Sequence, residues 1–440
     1  MPNETNIVGD ATAVLEKNDR GHYTQPSDSL YPHQWLWDSC FIAIGLRHLN
    51  LKRAQVELKS LIKAQWSNGM LPNIVFRNED RYRIDRDQWR SWLSPYAPEG
   101  VSTSGITQPP MLAEAVVQIG SKMAWPERRL WYKSMYPALV AYHEWLYIDR
   151  DPHQEGLVLL IHPWETGLDN NAPWMSELHE HLMPLWIRMV QKIKLQRAIN
   201  FVRLDTKHLP PQERTDAIDA LSMFSSQRRL RRKAYNINKI LDHSLFAIED
   251  LAFNAILIRA NSRLESIAKA IRVELPEELS KDIAKTRHAL EELWDEADKQ
   301  YYSRDFATHR LIKVSSIAAL LPLYAGSISK ERAGMLVNLL ENEHAFGTAY
   351  PVPSAPVNSP WFKQEQYWQG PSWVNTNWLI IKGLQSYGYK EHAEALKEST
   401  IEMVQKSGMY EYFNPIKAGG LGSSNFSWTA ALTIDLIKSA

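Results

Sequence analysis

The sequence predicts an all-α fold, a toroid of six helical hairpins with long loops gathered at one end. Three observations predict it. Apolar residues recur at i, i+3, i+4 spacing in about twelve segments, as amphipathic helices require. Strand-like alternation is scarce. Stretches rich in Gly, Pro, Trp and acids punctuate the chain at intervals of ~50 to 90 residues, the length of one helical hairpin plus insertions.

In chain order, helical periodicity is clearest over 51–65, 129–147, 186–200, 245–271, 276–297, 330–341 and 392–405. The best alternating segments, 71–76 and 156–161, are short enough to be hairpin edges inside loops. The loops themselves fall at 31–39, 103–110, 162–174, 367–373 and 410–426. No consensus repeats between the units, so a stacked solenoid is disfavoured. The basic run 227–233 reads as a solvated helix face.

Hydrophobic residues make up 44% of the chain and charged residues 23%, enough apolar surface to bury a sizeable core, so one domain spanning 1–440 is expected. Lys plus Arg number 50 and so do Asp plus Glu, which leaves no net field to attract nucleic acid or an anionic membrane. No apolar leader and no run of roughly 18 uncharged apolar residues occurs, so a cytoplasmic protein without a membrane partner is expected. The single cysteine, Cys40, excludes an internal disulfide and reads as a small core residue.

The 17 Trp and 18 Tyr exceed what a core ordinarily uses, and aromatic loops beside carboxylates suit the flat apolar faces of sugar rings. Inverting cleavage of a glycosidic bond needs a protonated carboxylic acid at the leaving oxygen and a carboxylate that activates water on the opposite face. Asp169 stands beside Trp164 and Trp174, rings able to desolvate a carboxyl, and Glu411 stands between two tyrosines. Taken alone, Asp169 reads equally as a helix cap and Glu411 as a bridge to a backbone group.

Seven motifs occur in order: Tyr31-Pro-His-Gln-Trp-Leu-Trp-Asp38, Gln65-Trp-Ser-Asn-Gly-Met-Leu-Pro72, Gly105-Ile-Thr-Gln-Pro-Pro110, Glu165-Thr-Gly-Leu-Asp-Asn170, Tyr367-Trp-Gln-Gly-Pro-Ser-Trp373, Tyr410-Glu-Tyr-Phe-Asn-Pro415 and Phe426-Ser-Trp-Thr-Ala-Ala431. Together they resemble glycoside hydrolase family 63, in particular its bacterial mannosylglycerate and glucosylglycerate hydrolases. The resemblance implies an (α/α)6 barrel and an inverting mechanism on an α-glycoside, with Asp169 as general acid and Glu411 as general base. It implies that Glu165 braces the loop by hydrogen bonds. Trp37, Asp38, Trp164, Gly167, Tyr367, Trp368, Gly370 and Trp373 match positions that line the sugar subsite. Tyr31, Tyr82 and Gln108 match positions that contact glycerate.

One segment departs from the pattern. Relatives carry an Arg-Pro-Thr run followed by a tyrosine, whereas here Arg214 is followed directly by Thr215, and Asp219 and Ala220 stand where the tyrosine is expected. An anionic acceptor calls for a bidentate arginine, so Arg214 is the first candidate and Arg203 the second.

No metal site and no cofactor are expected, since His179 and His181 lack a convincing third ligand and no Gly-rich phosphate loop is present. A small carbohydrate is the expected partner, and homo-oligomerisation stays open. The rival readings are an α-glucosidase acting on α-gluco-oligosaccharides or glucosylglycerol, a sugar epimerase on the same barrel, and an inactive carbohydrate-binding protein.

Overall fold

Residues 36–46 are too apolar to present a wet face, and in the structure every residue of the helix Leu36–Leu46 is buried. Such a helix must sit inside a ring of others. The next helix, Leu51–Ile62, is amphipathic, with Ala54, Leu58 and Leu61 buried and Lys52 and Lys59 exposed, so it lies on the outside. The computed structural model describes residues 4–76, 83–179, 183–193, 199–200, 203, 205–242, 244 and 246–439.

Twelve barrel helices alternate between these two characters. The outer ones are α1 (Glu4–Asn18), α3 (Leu51–Ile62), α5 (Trp125–Arg150), α7 (Glu277–Ala289), α9 (Lys330–Glu341) and α11 (Lys390–Ser407). The inner ones are α2 (Leu36–Leu46), α4 (Leu112–Gly120), α6 (Leu251–Ile271), α8 (Pro322–Ala325, preceded by the 3-10 turn Ile317–Leu320), α10 (Val374–Tyr387) and α12 (Ser427–Lys438). Each inner helix packs against the next, α2 on α4, α4 on α6, α6 on α8, α8 on α10, α10 on α12, and α12 returns to α2. The ring is closed, and the outer helices lie against it: this is an (α/α)6 barrel.

The connections have a regular asymmetry. Inner helices pass to outer ones through tight turns at 47–50, 121–124, 272–276, 326–329 and 388–389. Outer helices return to inner ones through long segments at 19–35, 63–111, 151–250, 290–321, 342–373 and 408–426. All the long loops therefore gather where the inner helices begin. The partial positive ends of six parallel inner helices point toward them.

Closure is tight at α2 and α12. A Cβ on Gly45 would stand 2.4 Å from the Ala431 backbone, so glycine alone permits this approach. Beside it the buried Asp435 of α12 accepts from His48 Nε2 at 2.9 Å and Trp378 Nε1 at 2.8 Å, and pairs with Arg47 Nη1 at 2.7 Å. Cys40 is buried in the same core.

Helix bounds differ from the periodicity where polar caps intervene. The segment expected over 245–271 starts at Leu251 because Asp250 accepts from Phe253 N, while Ile248–Glu249 pairs with Arg304–Asp305. The segment expected over 276–297 ends at Ala289, and Trp294–Asp295 folds back on Gln300–Tyr301. Of the two alternating segments, Ile74–Val75 pairs with Gln34–Trp35, whereas 156–161 contributes only an isolated bridge from Leu160 to Ile248. Leu185–Lys192 is helical within 186–200, part of which lies outside the described residues. The basic run ends the helix Ala217–Arg232, where Arg228 and Arg232 are exposed but Gln227 and Leu230 are buried. Among the described residues no helix is long and apolar enough to cross a membrane.

Candidate active site

The loops at the N-terminal ends of the inner helices carry the carboxylates. Glu411 sits just before the ladder Tyr412–Phe413 with Gly420–Leu421, on the approach to α12. That ladder reaches the approach to α10 through a bridge from Phe413 to Ser372. Glu411 N donates to Ser423 O at 2.9 Å, and Ser423 N donates back to Glu411 Oε2 at 3.1 Å. On the other oxygen, Tyr31 Oη donates to Oε1 at 2.9 Å, and Arg214 Nη1 lies 3.5 Å from Oε2. Burial pushes the Glu411 carboxyl up, while the Arg214 guanidinium, the Ser423 N–H and the Tyr31 hydroxyl pull it back toward ionisation.

Asp169 lies between the 3-10 turn Pro163–Glu165 and the helix Ala172–Glu177. Tyr367 Oη donates to Asp169 Oδ2 at 3.2 Å, and Trp174 Nε1 fixes the loop by donating to Asp169 O at 2.9 Å. Burial pushes Asp169 up to about 7, and the charge of Glu411 adds to it, against the Tyr367 hydrogen bond and Arg214. The two carboxyls thus share an environment and differ in it, one kept protonated toward neutrality and the other faced by a cation. Asp38, in the first turn of α2, is pushed well up by burial, and Glu411 and Asp169 both reinforce the shift, so three carboxyls converge here.

The loop holding Asp169 is braced by Glu165. Arg150, the last residue of α5, donates to it through both terminal nitrogens at 2.9 and 2.7 Å, and Ile161 N donates at 2.8 Å. Gly167 is needed for a close approach: its φ is +75°, and a Cβ there would stand 2.7 Å from the Trp37 ring. Gly370 likewise leaves no room, since a Cβ would meet Lys363 O at 2.0 Å.

The structure brings Arg214, Tyr31, Tyr367, Asp38, Trp37 and Gln108 to the same end as the two carboxylates. Arg214 Nη2 donates to Tyr31 Oη at 2.7 Å, and its guanidinium carbon lies 4.3 Å from the Tyr367 ring centroid. Trp37 N donates to Gln108 Oε1 at 3.5 Å. Trp368 and Trp373 stack at 3.6 Å, both fully buried, and Trp373 Nε1 donates to Tyr367 O at 3.2 Å. They therefore back the left-handed Tyr367, whose φ is 45°. Trp164 packs on His162, Trp89 and Phe224 and is half-buried. Arg203 is occupied by Asp205 at 2.6 and 3.0 Å and by Thr215 O at 2.7 Å, so it braces the Arg214 segment. Tyr82 and His181 lie outside the described residues.

Several contributors were not singled out in the sequence. Asp205 also reaches Arg214 Nε at 3.4 Å, Ser423 supplies an N–H to Glu411, and the Tyr412 hydroxyl donates to Glu213 O. Asp219 pairs with His179 Nε2 at 2.5 Å and holds that imidazole above its usual pKa. Tyr412 neighbours Glu411 in its motif and could have been found; Asp205 carries no local signal. Glu411 is 1% and Asp38 5% exposed and so largely screened from bulk water, while Asp169 is half-buried.

A family model described as a mannosylglycerate hydrolase MGH1-like glycoside hydrolase domain matches residues 31–429. The chain is 37% identical to a mannosylglycerate hydrolase of Thermus thermophilus over 96% of its own length and 99% of the relative's. It is 31% identical to a glucosylglycerate hydrolase of Mycolicibacterium hassiacum, covering 98% of this chain and 97% of that one. Among solved structures, a family 63 mannosylglycerate hydrolase from Thermus thermophilus in complex with Tris and D-glycerate superposes with a TM-score of 0.87 at 36% identity, over 98% of this chain and 100% of that one.

Proposed function

The chain belongs to the MGH1-like glycoside hydrolases, within glycoside hydrolase family 63, and on that premise we propose that it hydrolyses an α-mannosyl or α-glucosyl glycerate with inversion. The observation that carries the reading is the unequal pair of buried carboxyls. Asp169, pushed up to about 7, protonates the leaving glycerate oxygen. Glu411, faced by Arg214, Tyr31 and the Ser423 N–H, takes the proton of the attacking water. As the C–O bond breaks, positive charge grows on the sugar ring, and the nearby carboxylates and screened surroundings favour that charge over the neutral substrate.

Arg214 serves the acceptor side in this reading. Its Nη1 is buried and makes no hydrogen bond within the described residues beyond its ion-pair approach to Glu411, so an N–H remains for a glycerate carboxylate. Asp38 and Trp37 hold the sugar, while Tyr31 and Gln108 serve the glycerate side. The lone, buried Cys40 supports a cytoplasmic placement, and the balanced charge supports a small-molecule partner without nucleic acid.

The test is a screen of mannosylglycerate, glucosylglycerate, glucosylglycerol and short α-glucosides with product NMR. Release of the β-anomer from an α-linked glycerate glycoside is expected; initial release of the α-anomer would overturn inversion and the role of Glu411. On a glycosyl fluoride, whose leaving group needs no proton, Asp169→Asn should lose far less than the roughly 10²- to 10⁴-fold expected on the glycerate substrate. Glu411→Gln should lose rate on both.

A further inference from the structure

Outside the carboxylate site, two tight turns bring two imidazoles to one carboxylate. The first, 151–156, follows the end of α5 and is held by Asp151, which accepts from Glu155 N at 2.8 Å and Gly156 N at 2.7 Å. The second, 305–310, is held by Asp305, which accepts from Thr308 N at 2.8 Å and, through its carbonyl, from His309 N at 2.9 Å. Across the gap His309 Nε2 lies 3.2 Å from Glu155 Oε2 and His153 Nδ1 lies 4.0 Å from Glu155 Oε1. One ligand atom from each of the three residues falls within 4.8 Å of the others. The His153 ring is stacked on Phe306 at 4.6 Å, which limits its orientations.

Charge at this place is unbalanced. Arg304 Nη2 donates to Glu155 Oε2 at 2.8 Å, Nη1 donates to Glu292 Oε2 at 2.7 Å, and Nε pairs with Glu249. Three carboxylates thus share one guanidinium, and the two imidazoles face the one nearest them. An ion bound about 2.0 to 2.2 Å from each ligand atom needs those atoms roughly 3.4 Å apart, within reach of a side-chain rotation from the spacing above.

We propose that His153, Glu155 and His309 form a binding site for a divalent cation of the Zn²⁺ class, with water completing a tetrahedron. Two imidazole nitrogens and one carboxylate oxygen suit a borderline ion and disfavour Mg²⁺ and Ca²⁺, which take oxygen ligands. The ion clips the 151–156 turn to the 305–310 turn. It lies apart from Asp169 and Glu411 yet shares their frame, because Arg150 at the end of α5 holds Glu165, and Ile248 bridges Leu160 while pairing with Asp305. Its role is to fix structure, and it takes no part in bond cleavage.

The experiment is calorimetric titration of the chelator-treated full chain with ZnCl₂, and with CoCl₂ read by its visible d–d absorption. One ion per chain is expected, with tetrahedral Co²⁺ intensity, and MgCl₂ should not compete. A free Zn²⁺ concentration of about 100 times Kd should shift the folding equilibrium ~100-fold and raise Tm. H153F retains the stack on Phe306 and H309N tolerates the left-handed backbone at φ 57°, so both keep the turns while removing a ligand. Each variant should lose the Co²⁺ spectrum and the Zn²⁺-dependent rise in Tm. Unchanged Zn²⁺ affinity in the H153F/H309N double variant, or no binding to the parent chain at millimolar Zn²⁺, would overturn the proposal.

Discussion

At the scale of single residues, Asp169 holds the clearest consequence of burial. Its carboxyl is pushed up to about 7, and in its proposed role as general acid it must be protonated, so kcat/KM should fall as pH rises past about 7. Glu411 must be ionised, and its own upward push moves the acid limb above the usual carboxylate range. A bell-shaped profile is expected, with an alkaline limb that disappears in Asp169→Asn when an activated fluoride is the substrate. The same shift has a stability sign. A carboxyl whose folded pKa exceeds its unfolded value favours the folded state most below the unfolded value, and loses that advantage as pH rises through about 7. Asp169→Asn should therefore raise Tm relative to the parent at pH 8 and change it little below about pH 4. An equal change at both pH values would mean that the carboxyl is not strained by its surroundings. Asp169 and Glu411 were singled out by motifs that resemble family 63, since the aromatic residues beside them do not by themselves separate a catalytic carboxyl from a helix cap or a backbone bridge. Asp205 and Ser423 were not, since their partners Arg214 and Glu411 are recognisable only once distant segments have met.

At the scale of elements, the segment around Arg214 is the one singled out in the sequence as unlike the expected motif, and two proposed duties converge on it. Arg214 faces Glu411, and its buried Nη1 is the group proposed to meet an anionic acceptor. Arg214→Ala should raise KM for a glycerate glycoside by about tenfold or more, the loss expected for a charged hydrogen bond of roughly 1.5 to 3 kcal/mol. It should also move the acid limb upward, since a cation favouring ionised Glu411 is gone. A shifted limb with unchanged KM would assign Arg214 to Glu411 alone. Helix α12 supplies a second element-scale expectation. Burial would raise Asp435, but His48, Arg47, Lys382 and Trp378 outweigh it and hold the carboxyl at about 2. This depressed value gives stability that is present above the ordinary carboxylate pKa and lost as pH falls through about 2. Asp435→Asn should cost on the order of 3 to 5 kcal/mol at pH 7, because Arg47 remains buried without its partner, and the difference should shrink in acid. Denaturant unfolding at both pH values measures it. Periodicity located the barrel helices well where a polar cap coincides with the apolar stripe, as at Lys330–Glu341 behind Ser329. It overran at 276–297, because Leu290, Leu293 and Trp294 continue the apolar pattern while 290–293 tightens to a 3-10 turn and Trp294–Asp295 pairs with Gln300–Tyr301.

At the scale of the whole molecule, the six-hairpin toroid was legible from the recurrence of special loops between amphipathic pairs. The His153, Glu155 and His309 group was not, because its members come from turns on either side of α6 and α7, and only the folded ring sets them together. Sequence reasoning weighed His179 and His181 as metal ligands because they are neighbours in the chain; in space His179 belongs to Asp219.

Ring closure between α2 and α12 also has a meaning in time. Helix α2 has no face suited to water, and the surface that covers it at Gly45 belongs to the last barrel helix to leave the ribosome. At about 5 to 20 residues per second, tens of seconds pass between the emergence of the two. Through that interval the nascent chain displays a largely apolar helix whose eventual cover has not been made. Its early half therefore waits in an adhesive state, and guarding that half during synthesis becomes the task of whatever chaperones meet it first.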